Sequence, residues 1–181
     1  MTSFYTEEEL KQLPLKSFGK NVLISRKISI YSNHEITIGN HVRIDDFCIL
    51  SGKIELGSYI HIAAYNALYG AHGIIMEDFT GLSPRCSIFS ASDNFDGNHL
   101  ISPMTQKEHN EIIGGRVTIK KYAQIGTHSV LMPNITIEEG TAIGAMSFVN
   151  QSTEEWSIYT GSPAKKIKNR SKELLHFIKE Y

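Results

Sequence analysis

Asp93 stands in the run Phe89-Ser90-Ala91-Ser92-Asp93-Asn94-Phe95. A carboxylate there could take up a proton during a group transfer, or do no more than cap a turn. His72, in Gly70-Ala71-His72-Gly73, is the side-chain type whose ordinary pKa lies near neutrality. It suits a base or a polar contact, and it equally suits a solvated corner. His99 and His109 share a long segment with Pro103 and Lys107, while His34, His41 and His176 read as surface residues. The two cysteines, Cys48 and Cys86, make neither a disulfide framework nor a zinc site.

The elements that must carry these groups show in the spacing of apolar residues. Ile38, Ile44, Leu50, Leu56, Ile62 and Leu68 follow at intervals of six. Met76, Leu82 and Ile88 continue the series, and Ile119, Ile125, Leu131, Ile137, Ile143 and Val149 resume it. Phe18, Ile24 and Ile30 form a fainter opening. A period of six fits neither the 3.6 of a helix nor plain alternation. It fits very short strands with a turn after each, three to a triangular coil. The sequence therefore predicts a parallel β-solenoid, each anchor pointing inward. Small residues four places on (Val42, Cys48, Cys86, Ala123, Ser129, Thr141, Ser147) read as a second inward position, which assigns both cysteines to packing. Glycine follows the anchor in Ile38-Gly39, Leu56-Gly57, Ile125-Gly126 and Ile143-Gly144, where the expectation is a corner at positive φ.

The rhythm slips by two residues before Ile38 and again before Met76, and it breaks from about Ser90 to Thr118. The second slip is expected to swing Gly70 to Gly73 outward, and a loop as long as the break is usually functional. Thr6-Glu7-Glu8-Glu9 has the form of a capping box opening a short helix through Leu13. Leu174, Leu175 and Ile178 sit at helical spacing in a closing helix. One domain is expected: a cap over 1–17, a solenoid over 18–167 with its loop at 90–118, and a C-terminal helix over 168–181.

The composition sets outer bounds. A chain of 181 residues with 41% hydrophobic and 20% charged content suits one soluble domain. Its formal net charge of −1 gives no reason to expect nucleic acid as partner. No apolar run is long enough to span a bilayer, and the start lacks the layout of a secretory signal, so a cytoplasmic protein is expected.

The runs IGNHVRIDDFCIL, MEDFTGLSPRCSIFSAS, IKKYAQIGTHSVLMPNITIEEGTAIGAMSFV and YTGSPAKKI resemble the hexapeptide-repeat acyltransferases. The closest branch is that of the sugar and xenobiotic acetyltransferases, including galactoside, maltose and surface-polysaccharide enzymes. The resemblance covers roughly Phe18 to Ile167, and its more specific part is the order of long loop, two clean coils, then Gly161-Ser162-Pro163-Ala164-Lys165. It implies a left-handed parallel β-helix, a homotrimer, and acetyl-CoA lying in the groove between prisms. The implied reaction is acetyl transfer to a hydroxyl or amino group of a sugar or nucleotide-sugar, with surface-polysaccharide synthesis as a setting. No metal is implied.

In the family a histidine opens the long loop and serves as base; here that position carries Asp93. A carboxylate, with a reference pKa of about 3.9, is a weak base for a sugar hydroxyl. Three readings follow: Asp93 is made more basic by burial between subunits; His72, His99 or His109 takes the role; or the acceptor is an amine, which loses its proton easily once it has attacked. The resemblance further points to Gly126, Thr127, Gly144 and Ala145 along the pantetheine arm of CoA, with His128 bordering that groove or simply solvated. Lys165 and Lys166 are candidates for its phosphates. Tyr69, Arg85, Asn94 and His99 are candidates for acceptor contacts. Two rivals remain. A γ-class carbonic anhydrase shares the solenoid but typically needs a His-x4-His pair for zinc, and no two histidines here have that separation. A non-catalytic scaffold that has lost the family histidine is the other.

Overall fold

The structure is a computed structural model, and it describes residues 3–32 and 34–181. The six-residue anchors stack in three columns of short parallel strands. In the first, Phe18 pairs with Ile38, then Leu56, Met76, Ile119 and Ile137 in turn. In the second, Ile24 leads through Ile44, Ile62, Leu82, Ile125 and Ile143 to Tyr159. The third runs Ile30, Leu50, Leu68, Ile88, Leu131, Val149. Every anchor thus lies over the equivalent anchor one coil away, and from Ile38 onward all of them from the three series are buried. The smaller inward position is equally dry: Val42, Cys48, Cys86, Ala123, Ser129, Thr141 and Ser147 are all buried.

The corners correct one expectation. Gly39, Gly57, Gly126 and Gly144 do not take positive φ; the left-handed residue of each corner comes two places later, and it is seldom glycine. Along one edge these residues are Phe47, Tyr65, Arg85, His128 and Met146, with φ between 57° and 64°. The glycines answer to a different constraint, the close approach of stacked coils. A Cβ on Gly39 would collide with the carbonyl of Gly57, and one on Gly126 with the backbone at Ala145.

Both slips are absorbed without disturbing the stack. The strand Ala67–Met76 pairs with Ile49–Leu56 in anchor register at both ends, shifting between Gly52 and Ile54. Two extra residues therefore bulge at Ala71 to Gly73. The long break is less irregular than its sequence suggests. Strand Ala91–Asp93 pairs antiparallel with Ile112–Gly114, Gly115 N–H donates to Ser90 O at 2.9 Å, and a 3-10 turn covers Lys107–His109. The insertion is an arm that leaves the third column after Phe89, and the chain re-enters the stack in the first column at Val117–Ile119.

The expected N-terminal helix is present but short, Glu7–Leu10, with both halves of the capping box formed. The closing helix is wound as two 3-10 turns, Glu173–His176 and Ile178–Glu180, preceded by a strand Lys165–Asn169 that pairs back antiparallel onto Ser157–Thr160. A terminal segment this short gains little from helix formation alone. Its last residue, Tyr181, instead packs edge-on against Tyr59 and Phe79.

Candidate active site

The third column presents one face outward where the arm leaves it. Residues one place after the anchors Ile30, Leu50, Leu68 and Ile88 are Tyr31, Ser51, Tyr69 and Phe89, paired in register from rung to rung. The arm rises beside them, and between arm and column lies an open cavity of about 840 Å³. Asp93 and Tyr69 both line it, with Phe89 beneath and Ser102, Pro103 and Asn110 of the arm opposite. The volume is in the range of small-molecule sites. Asp93 is half-buried at the end of the strand Ala91–Asp93, and among the described residues its carboxylate has no hydrogen-bond partner. It is therefore open to a polar group bound in the cavity.

The other residues expected to meet the acceptor do not reach this cavity within one chain. His72 is exposed on the bulge, its N–H donates to Ser90 Oγ at 2.8 Å, and its ring lies against Gly114 of the arm. It lines a separate hollow with Arg116, Lys53 and Glu55. Asn94 turns away from Asp93 into a polar knot, where its side-chain amide donates to Asp96 and Glu111. His99 belongs to the same knot, 3.5 Å from Glu111. Arg85 sits on the corner between the second and third columns, its guanidinium 5.0 Å from the ring centroid of Tyr65. His109 is exposed on its 3-10 turn, and His34, His41, His128 and His176 lie outside the core.

The candidates for the donor come together. Gly126-Thr127 and Gly144-Ala145 occupy the same corner on successive coils, tied by Gly126 N–H to Ile143 O at 2.8 Å and Met146 N–H to Thr127 O at 2.8 Å. Thr127 Oγ1 donates to Pro84 O at 2.6 Å, which continues the corner down to Ser83 and Pro84. Ser83 does not stand out in the sequence. It follows its anchor as Gly126 and Gly144 follow theirs, so its rung position is the one signal that points to it. Its hydroxyl has no hydrogen-bond partner among the described residues, while its N–H donates to Ile125 O at 2.9 Å. Of the two lysines, Lys166 is paired with Glu154 at 2.8 Å, whereas Lys165 is exposed without an ion pair among the described residues. A carboxylate free in one cavity and a corridor of small residues on the neighbouring corner form an arrangement suited to moving an acyl group between two bound molecules.

The chain belongs to the hexapeptide-repeat acyltransferases and is an acyltransferase. It is 41% identical over 96% of its length to the dTDP-4-amino-4,6-dideoxy-D-glucose acyltransferase of Escherichia coli, covering 92% of that protein. Among solved structures it matches AntD, an N-acyltransferase from Bacillus cereus, with a TM-score of 0.97 and 50% identity over 99% of this chain and 97% of that one. A serine-altered variant of AntD has been solved with dTDP-4-amino-4,6-dideoxyglucose and coenzyme A, and AntD itself with dTDP and 3-hydroxybutyryl-CoA. AntD variants altered at a serine or at an aspartate ten residues further on have also been solved. A hexapeptide-repeat-containing acetyltransferase of Vibrio cholerae, 18% identical with a TM-score of 0.65 over 92% of this chain and 82% of that one, shares the fold. No family model matches the chain.

Proposed function

We propose that this acyltransferase moves an acyl group from coenzyme A to the amino group of a nucleotide-linked 4-amino-4,6-dideoxy sugar, with Asp93 as base. The observation that carries the reading is Asp93 itself, unpartnered among the described residues and facing a cavity of about 840 Å³. A neutral amine attacks a thioester carbonyl without prior help, and becomes acidic as the new C–N bond forms. A carboxylate can accept that proton, whereas it is poorly suited to draw one from a sugar hydroxyl. The C–S bond then breaks, and the CoA sulfur leaves with the electron pair as thiolate. The substrates of the E. coli and B. cereus relatives support the same class of acceptor.

Ser83 and Asp93 have the ten-residue separation of the serine and aspartate altered in AntD. This supports Ser83 as a residue of the site, at the foot of the corridor formed by Gly126, Thr127, Gly144 and Ala145, which holds the donor arm. Lys165 is the better phosphate contact, because Glu154 already engages Lys166. The working form is a homotrimer: Ile112, Ile113, Leu100 and Met104 on the arm are exposed apolar side chains that a neighbouring prism would cover. The setting is the cytoplasm, in keeping with two unpaired thiols. No helix among the described residues is long and apolar enough to cross a membrane.

The test is thiol release from acyl-CoA in the presence of amino-sugar nucleotides and, separately, plain hexosides. The amino-sugar nucleotide should be the strongly preferred acceptor, and Asp93→Asn should lower kcat/KM for it by about a hundredfold, within the usual range for a base. Equal use of simple hexosides, or an Asp93→Asn enzyme within about twofold of the parent, would remove the proposal. Acetyl-CoA and 3-hydroxybutyryl-CoA tested side by side will fix the acyl group.

A further inference from the structure

The outward column beside Asp93 has a gap in it. Phe89 and Tyr69 stack with ring centroids 5.2 Å apart and planes 14° from parallel. The next outward residue is Ser51, and the one after that is Tyr31, again in register. Three aromatic residues thus follow one another along this face with a small one where a fourth ring would stand. The edge between the first and second columns shows what an unbroken column looks like: His41, Tyr59 and Phe79 stack on consecutive coils at 4.8 and 4.7 Å, their planes 3° from parallel.

Strands in a sheet repeat about every 4.8 Å, so residues two rungs apart are separated by about 9.6 Å. A flat ring set over Ser51 would then lie about 4.8 Å from both tyrosines, the spacing already found in the complete stack and ordinary for aromatic pairs. Tyr69 has one face taken by Phe89, leaving the other towards the gap. Tyr31 is 65% exposed, so that much of its surface still awaits a partner. The Ser51 hydroxyl makes no hydrogen bond among the described residues and can both donate and accept. All three residues line the cavity that contains Asp93.

We infer that the gap over Ser51 is a base-binding slot, in which the pyrimidine of the acceptor nucleotide stands between Tyr31 and Tyr69 while its sugar reaches Asp93. The inference rests on the nucleotide-sugar reading above and assigns that reading a recognition element. Stacking supplies affinity, and the hydroxyl meets the alternating acceptor–donor–acceptor edge of a pyrimidine dione.

Calorimetric titration of dTDP into the parent and three variants tests it. Tyr31→Ala should weaken dTDP binding at least about tenfold, within the range for loss of a stacked base. Tyr31→Phe should bind within about twofold of the parent, since only the ring is needed. Ser51→Phe should complete the protein's own column and abolish dTDP binding without lowering the Tm. CoA affinity should be unchanged in all three. Undiminished dTDP binding by Ser51→Phe or by Tyr31→Ala overturns the slot while leaving the acyltransfer proposal standing. Weakened CoA binding in these variants would overturn it too, by giving the slot to the adenine of the donor. Failure of the parent to bind dTDP removes the nucleotide-sugar reading, and the slot with it.

Discussion

Cys48 and Cys86 show how far a single position can be read from its place in a repeat. Each falls four residues after an anchor, where the prism is narrow, and each is fully buried and unpaired. Burial pushes both thiols up to about 11, far above the range in which thiolate forms at neutral pH. Neither should react with a disulfide reagent at pH 8 in the folded protein, and both should react once denaturant is added. Rapid labelling of the native protein would mean that the packing assignment is wrong. Asp93 is legible in another way, as a departure from a resembling family's order of residues. His72 and Asn94 are harder. Whether a side chain faces the cavity depends on how the arm docks, and sequence spacing carries no information about that.

At the scale of the hexad, the anchors and the small inward positions are legible because burial repeats with the coil. The corners are not, because two demands on the backbone fall two residues apart. Glycine is needed where neighbouring coils nearly touch, while the left-handed turn is tolerated by Phe47, Tyr65, Arg85 and others because stacking along the edge compensates. Met146 ends that edge with φ of 57° and is 76% exposed. A non-glycine residue in the left-handed region costs about 1–2 kcal/mol, and asparagine adopts it more readily than most. Met146→Asn should therefore raise stability by about 0.5–1 kcal/mol, read as a higher urea midpoint at unchanged slope. Met146→Val should lower it, because a branched Cβ resists that conformation. Equal midpoints for the two variants would contradict a left-handed corner here. The arm is legible only as a break: its strands are three residues each and pair antiparallel, so they carry no six-residue rhythm.

For the whole molecule, a solenoid couples each coil only to its neighbours, so the ends are where unfolding starts. The first end is closed by the capped turn Glu7–Leu10, which buries Leu10 and is tied to the first coil by Glu9 and Arg26 at 2.5 and 2.7 Å. That tie is not visible in the sequence, because 17 residues separate the partners. The hydrogen bonds from Arg26, followed by that from the Thr6 backbone, hold the Glu9 carboxyl at about 2, against an ordinary 4.5. A carboxylate whose folded value is depressed stabilises the fold fully above its unfolded value, and the contribution disappears as pH falls through the folded one. Glu9→Gln keeps the shape and removes the charge. Its Tm should lie below the parent's by a constant amount above about pH 5.5, and the two should converge between about pH 4.5 and pH 2. A gap of the same size across that whole range would assign the cap's hold to neutral hydrogen bonding and packing. Convergence would make the charge on Glu9 the element that keeps the open end of the prism closed.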